Sequence, residues 1–506
     1  MKKLIALVLA VTVSIAHADF TPGQILKAQD LNDALAAKVG KTELPYVYLK
    51  AAPYNAKCDG STDDYAAIMA AYNAAAAGST ILVPTGTCVV KTAPVFGTKR
   101  VSWKGMGARQ SILQYAGTNT TNDAFTFGTA GGELNGIRIE GIGFSSATTM
   151  TGGAGVHFIK LTRSVLRDIL FDHQDGNGKF YHGVWFDGVD FASLDSFQAR
   201  AQQDAVRING NGAKADLFLT GGKIASSNVG IHVGGDFGGL QVDTTDIINN
   251  ATNVLIDKTI NTSANNRETF FGPGAMIDTA DTTKTATTYD GIGVDIQDTG
   301  GFIFFSGTWN ATAGTLVRIA SAYTGTVKFD NGFLFNAFTT YGGAGRAIDN
   351  ASTSAEIVVN GTRFDNIQGA GLYSSVASSK FVLNTPVFNS NVTNPISGNI
   401  ATTNRWTYQS NNESILGKVA IGSKVQYGSG VSATPDISAA GSNANFTYWG
   451  SDAASYWLSL GHAKSGTTGT QAAVANGDQL GAISFEGSDG TAFRSDRRST
   501  RLNSSH

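Results

Sequence analysis

The sequence predicts an all-β chain wound as a parallel β-helix, closed at its N-terminal end by one short helix and followed by a small C-terminal β region. Three observations carry this. Strand-length segments that alternate apolar and polar residues return every ~22–30 residues, the mark of a solenoid. Gly is frequent (61) and Pro rare (9), and only 15% of residues are charged, which suits short strands and tight turns rather than helical bundles or coiled coils. A single alanine-rich stretch near the start of the repeats has helical spacing. The same composition excludes other classes. Lys+Arg 37 against Asp+Glu 39 argues against a nucleic-acid partner or an anionic membrane surface. A 42% hydrophobic content is too high for a disordered chain. Two cysteines cannot make a disulfide-dense scaffold or a four-cysteine zinc site.

The chain starts as an exported one. Lys2 and Lys3 precede an apolar run from Leu4 to Ile15, and Ala16-His17-Ala18 forms a small-x-small cleavage site, so 1–18 reads as a signal peptide with a mature start near Asp19. The run is too short to span a bilayer and nothing later replaces it, so no membrane insertion is expected. The other end, DRRSTRLNSSH at 496–506, follows Phe493 without turn logic and resembles a translated sequencing adapter. We therefore treat 494–506 as foreign and hang no function on its arginines.

Residues 46–92 form the first structured unit. A strand at Tyr46-Val47-Tyr48-Leu49 leads into Cys58-Asp59-Gly60-Ser61-Thr62-Asp63-Asp64 and then a helix to about Ala77. Thr62 is the expected N-cap, Asp63 and Asp64 suit the positive helix end, and Gly78 suits the stop. Tyr65, Ile68, Tyr72 and Ala75 share one helical face. A strand at Thr80-Ile81-Leu82-Val83 and the run Pro84-Thr85-Gly86-Thr87-Cys88-Val89-Val90 complete the unit.

The string CDGSTDDYAAIMAAYNAA…GSTILVPTGTCVV resembles the N-terminal cap of the pectate-lyase superfamily, found in phage tailspikes and in polysaccharide lyases and hydrolases. The resemblance implies the right-handed form of the β-helix over 46–400, and a structural, capping role for the cap aspartates. Cys58 and Cys88 sit at the matching turns of this unit. Either they are bonded, closing a loop of about thirty residues and contributing ~3–4 kcal/mol in an exported protein, or they are two buried thiols.

Beyond the cap two series of segments interleave. One reads IEGIGF (139–144), LRDILF (166–171), LDSFQA (194–199), LTGGKI (219–224), VDTTDI (242–247), FGPGAM (271–276), FDNGFL (329–334), VNGTRF (359–364) and LNTPVF (383–388). The other reads GVHFIK, GVWFDG, AVRING, GIHVGG, NVLIDK, GVDIQD and LVRIAS. Period-two alternation without a helical half excludes leucine-rich, ankyrin and tetratricopeptide repeats.

In the first series Glu140, Asp195, Asp243, Asp330, Asn360 and Asn384 share one turn position and are expected to form a structural ladder. In the second the middle residue of V-x-F or I-x-V points outward, which lines up His157, Trp185, Arg207, His232, Leu255, Asp295 and Arg318. Two places on come Ile159, Asp187, Asn209, Gly234, Asp257 and Gln297, and His182 and Asp204 precede the strands. This face suits a saccharide: Trp185 to stack on a sugar, and His157, Asn209 and His232 to hold it. For hydrolysis Asp187 and Asp204 are the expected carboxylate pair. For β-elimination Arg207 with His182 or His232 would supply the base and neutralise a uronate. The bland alternative is a polar outer face. A second cluster, Asp168, Asp172, His173 and Asp175, ranks below it. QQDAVRI at 202–208 resembles a polygalacturonase-type segment only in part, since Gln203 stands where its first aspartate would be and no G-H-G follows. No metal site is assigned; calcium is left open because no dense carboxylate cluster is evident.

The flanks fit the same resemblance. FTPGQILKAQDLNDALAAK at 20–38 is similar to an N-terminal element of tail fibres and tailspikes, giving a short element over 19–45. NGDQLGAISFEGSDGTAF at 476–493 is similar to the β segment before a trimerising chaperone domain, within a C-terminal β region over 401–493. Trp406, Trp449 and Trp457 there serve either a core or a trimer interface. The resemblance implies a homotrimer, a bacterial surface polysaccharide (capsule or O-antigen) as ligand, a phage tail or baseplate as partner, and a virion-tail or secreted location. Depolymerisation by hydrolysis or elimination is the expected activity. A non-enzymatic receptor-binding fibre and a secreted bacterial lyase are the alternatives, the signal peptide being unusual for a virion part.

Overall fold

The computed structural model describes residues 46–400 apart from 172–178, 215, 236, 259–267, 279–290, 299, 311–313, 340–343 and 377–378, together with the backbone of 479–483, 486–488, 493–495 and 500–503. The expected signal peptide, the 20–38 element, Trp406, Trp449, Trp457 and the residues Asp172, His173 and Asp175 lie outside the described residues.

The expected solenoid is present, as a parallel β-helix of about 11 coils. Each coil lays down three strands in turn. Thr80–Leu82, Gly86–Val90 and Val95–Phe96 make one coil, and the next begins at Ser102–Lys104, pairing in parallel onto Thr80–Leu82. Three parallel sheets result, running down to Lys380–Asn384, Val387–Phe388 and Val392–Gly398. Period-two strands with apolar residues facing inward leave a core built of like on like. Phe127, Phe158 and Phe186 stack with ring centroids 5.3 and 5.5 Å apart, and Phe271, Phe305 and Phe329 with 4.9 and 5.1 Å. Each pair adds about 0.5–1.5 kcal/mol beyond its buried area.

The corner between the first and second sheets explains the ladder. Glu140, Asp195, Asp243, Asp330, Asn360 and Asn384 are each followed by a left-handed residue: Gly141, Ser196, Thr244, Asn331, Gly361 and Thr385, with φ from 46° to 68°. This bend turns the chain sharply, and the polar residue before it ties its coil to a neighbour. Arg167 Nε donates to Asp195 Oδ2 at 2.8 Å, Gly274 N to Asp243 Oδ1 at 2.8 Å, and Asn360 Nδ2 to Asp330 Oδ1 at 2.5 Å. Asp168 stands at the same bend (φ 50°), where its Oδ2 accepts from Ala108 N at 3.2 Å.

At the N-terminal end the helix Tyr65–Ala74 buries Ile68, Ala71 and Tyr72 against the core. Its N-cap residue is Asp64, not Thr62, which lies in the strand Asp59–Asp63 and donates its Oγ1 to Asp59 Oδ2. Asp64 makes no side-chain cap. Its carboxylate accepts from Lys57 N (2.7 Å) and Cys58 N (2.9 Å) and so fastens the preceding loop, while Asp63 Oδ1 accepts from Tyr65 N at 3.1 Å. Cys58 and Cys88 are disulfide-bonded beside it. No helix among the described residues is long and apolar enough to cross a membrane.

The residues from Ser410 onward form a separate unit. Gln479–Ile483 pairs antiparallel with Thr500–Asn503, and Glu486–Ser488 with Phe493–Ser495.

Candidate functional site

The third sheet carries the outward column in the register read from the sequence. Strands Phe125–Phe127, Ala154–Thr162, His182–Asp190, Asp204–Lys214, Val229–Val233 and Thr252–Ile256 stack in parallel. The pairing places Thr126, His157, Trp185, Arg207, His232 and Leu255 in one line, with Asp187 beside Asn209. Glycine enables one close approach: a Cβ on Gly183 would lie 2.5 Å from Ala205 O, where the two strands that carry His182 and Asp204 meet.

The column is not a solvated face. His157, His182, Asp204, Asn209, His232 and Asp257 are all buried, while Trp185, Asp187 and Arg207 remain partly exposed. Side chains stacked at strand spacing cover one another. Trp185 shows the consequence. The His157 ring lies parallel to it at 4.2 Å, and the Arg207 guanidinium sits 4.7 Å from its centroid. Those residues come from the strands on either side, so both faces of the indole are taken and its edge alone is left for a ligand. Its Nε1 donates to Asn209 Oδ1 at 2.5 Å, and Asn209 Nδ2 donates to Asp187 Oδ1 at 2.7 Å.

Two histidines are clasped between carboxylates. His157 Nδ1 lies 2.6 Å from Asp123 Oδ2 and its Nε2 3.7 Å from Asp187 Oδ2. His232 Nδ1 lies 3.1 Å from Asp204 Oδ2 and its Nε2 2.9 Å from Asp257 Oδ1. Burial lowers the affinity of both rings for a proton, but the flanking carboxylates outweigh it: His157 is raised, and His232 is pushed up to about 9. Burial likewise disfavours the charge on Asp204, yet the His232 and His182 imidazoles hold its carboxyl well below the usual carboxylate range. His182 Nδ1 makes a bent contact of 3.0 Å with Asp204 Oδ2, and Arg207 Nη1 stands 3.4 Å from the same oxygen.

His182, Asp204, Arg207 and His232 thus form one cluster, and His157, Trp185, Asp187 and Asn209 a second, joined where Arg207 covers Trp185. Asp187 and Asp204 belong to different clusters, each carboxylate engaged by its own partners. Two members escaped the sequence reading. Asp257 stood in the column two places on but was not chosen. Asp123 lies three residues before Thr126, the same offset that separates His182 from Trp185 and Asp204 from Arg207, and that offset was the signal available. Further down the column Arg318 Nε and Nη2 reach both oxygens of Asp295 at 2.8 and 2.5 Å.

No protein-family profile matches the chain, and no curated protein matches its sequence. Among solved structures it is similar to the catalytic unit of a GH87 α-1,3-glucanase from Streptomyces thermodiastaticus (14% identity, TM-score 0.47, 68% of this chain and 69% of that one). It is also similar to the Dettilon tailspike protein (13%, 0.45, 75% and 71%) and to PfbA, a surface adhesin of Streptococcus pneumoniae (14%, 0.47, 70% and 93%). At identities and scores this low, no substrate and no residue role passes from any of them to this chain.

Proposed function

We propose that this chain binds a bacterial surface polysaccharide, capsule or O-antigen, along its third sheet and depolymerises it as a homotrimeric, tailspike-like protein. One observation carries the reading: imidazole, indole, guanidinium and carboxylate groups from successive coils stand in one unbroken line, between Asp123 and Asp257. A strip of polar groups that crosses several coils, with Trp185, Asp187 and Arg207 reaching solvent, suits a long, repeating ligand better than a compact one. Export, attachment to a phage tail and trimerisation belong to the same proposal. The half-buried rings of Phe270 and Phe304, neighbours on the first sheet, offer an apolar patch for self-association. The reaction is assigned to side chains alone, with no resident cofactor.

A non-enzymatic receptor-binding fibre is the second reading. Its support is that Asp204 is buried and engaged by His182, His232 and Arg207, which leaves it a poor proton donor.

The test is a panel of bacterial surface polysaccharides presented to the full chain, with binding, reducing ends and the ultraviolet absorbance of unsaturated uronates followed together. Binding with product in either channel supports depolymerisation. Binding without product leaves the fibre. Absence of binding to every member sinks both.

A further inference from the structure

We propose that Cys58, Cys88 and Asp64 form a metal site in the reduced chain: with the disulfide opened, two thiolates and one carboxylate take a thiophilic divalent cation of the zinc class. The site lies in the N-terminal cap and does not depend on what the third sheet binds.

The first turn of the cap assembles it. The strand Asp59–Asp63 pairs in parallel with Gly86–Val90, Asp59 opposite Thr87 and Asp63 opposite Val89, which sets Cys58 and Cys88 side by side. Cys58 takes this turn in the left-handed conformation, with φ 48°. Its carbonyl packs so tightly on Gly86 that a Cβ there would lie 2.3 Å from the oxygen, so the approach requires glycine. The chain then returns at Asp64, the residue before the helix Tyr65–Ala74. One ligand atom from each of Cys58, Asp64 and Cys88 falls within 4.8 Å of the other two.

The surroundings suit a cation. Cys58, Asp64 and Cys88 are 4, 2 and 0% exposed. Lys57 N donates to Asp64 Oδ1 at 2.7 Å and Cys58 N to its Oδ2 at 2.9 Å, so the carboxylate is held in place while each oxygen keeps a lone pair. Outer donors of this kind orient the ligands of zinc sites. Tetrahedral Zn–S bonds of about 2.3 Å put two sulfurs about 3.8 Å apart, a span that fits the three-atom cluster once the S–S bond is gone. The positive end of the helix lies beside Asp64 and favours the thiolates. Entry is short, because Lys57, Asp59 and residues 60–63 are exposed and leave the ligands one residue below the surface.

Sulfur selects the ion. Thiolates take Zn²⁺ or Cd²⁺ in preference to Ca²⁺ or Mg²⁺, with water or the second Asp64 oxygen in the fourth place. The exchange balances with one named reagent. A dithiol reductant opens Cys58–Cys88 by two thiol–disulfide exchanges, becomes a disulfide itself and leaves two thiols. Each thiol gives up its proton as the metal binds. Reoxidation re-forms the S–S bond and expels the ion, since one pair of sulfurs cannot serve both. The cap is thus closed by a covalent bond under oxidising conditions and by a coordinated ion under reducing ones.

The full chain, reduced with a phosphine in the absence of oxygen, would be titrated with Co²⁺. A sulfur-to-cobalt charge-transfer band with tetrahedral d–d bands, saturating at one ion per chain and bleached by Zn²⁺, is the expected result. The chain has two cysteines, so the sulfur band reports this site whatever the histidines bind. Zn²⁺ should also restore the protease protection of the helix Tyr65–Ala74 that reduction removes. C88S should lose the band, and D64N should bind Co²⁺ about tenfold or more weakly. Cadmium-113 NMR of the reduced wild-type chain tests Asp64 without a variant, through a shift set by two sulfurs together with oxygen donors. Absence of the sulfur band in the wild-type chain overturns the proposal, whether the ion is added after the reductant or before it. A band at full strength in C88S overturns it as well. Equal affinity in D64N, with a cadmium shift that lacks oxygen donors, removes Asp64 and overturns the three-ligand site.

Discussion

His157 and Trp185 lie with ring centroids 4.2 Å apart and planes 1° from parallel, and Arg207 takes up the opposite face of the indole. A tryptophan in this position serves as a spacer within the column rather than as a platform under a sugar.

Trp185→Ala should therefore cost stability first, about 2–4 kcal/mol from lost ring packing and the cation–π contact. Trp185→Phe keeps a ring and loses only the bond from Nε1 to Asn209, about 1 kcal/mol. Hydrogen exchange in the strands His182–Asp190 and Asp204–Lys214 would separate the two. Equal protection in wild type and the alanine variant would show the sandwich to be of no consequence.

Asp204→Asn removes the charge shared by His182, Arg207 and His232 and leaves those groups facing a neutral amide. A loss of about 3–5 kcal/mol at neutral pH is expected, the scale for breaking one side of a buried ion pair. The His232 ring should then titrate lower, which side-chain NMR of the imidazoles would report.

His232 sets a stability window on the alkaline side. Its folded value of about 9 lies above the ordinary histidine value of 6.5. Between these limits the folded chain holds a proton that the unfolded chain has released, so stability must fall as pH rises. The contribution, on the order of a few kcal/mol, is complete below about pH 6.5 and gone above about pH 9. Thermal melts from pH 6 to 10 should show the decline, and His232→Gln should flatten it.

Reduction of Cys58–Cys88 opens a loop of 30 residues and should cost the N-terminal end ~3–4 kcal/mol. Proteolysis of the cap with and without reductant would show this as earlier cleavage near the helix Tyr65–Ala74. The coils beyond Arg138 should keep their protection, because each is stabilised by its neighbours.

The solenoid was legible because its information is local and repeated. Val156, Val184 and Val206 announce the same inward position coil after coil, and Asp195 followed by Ser196, or Asn360 by Gly361, announces the same bend. The outward column followed from that register, so His157, Trp185, Arg207 and His232 could be aligned before any coordinates. What the alternation could not convey was depth. It marks a side chain as facing away from the core but not as covered by its neighbours, and so Trp185 read as an exposed stacking ring. Nor could it tell which carboxylate reaches which histidine, since Asp123 lies 34 residues from His157 and Asp257 lies 25 from His232. The helix start was misread for a related reason: Thr62 is a good capping type, but its hydroxyl is committed to Asp59.

The left-handed bend repeated after each polar corner residue makes the coil an interchangeable unit of inheritance. A duplication or loss of a coil that carries this bend, such as the one at Asn360 and Gly361, would re-form the same corner and the same pairing, lengthening or shortening the solenoid without touching the line from Asp123 to Asp257. An equal change within that line would separate Asp204 from His182 or from His232. Length can therefore drift between descendants of this chain, while the spacing of those coils cannot.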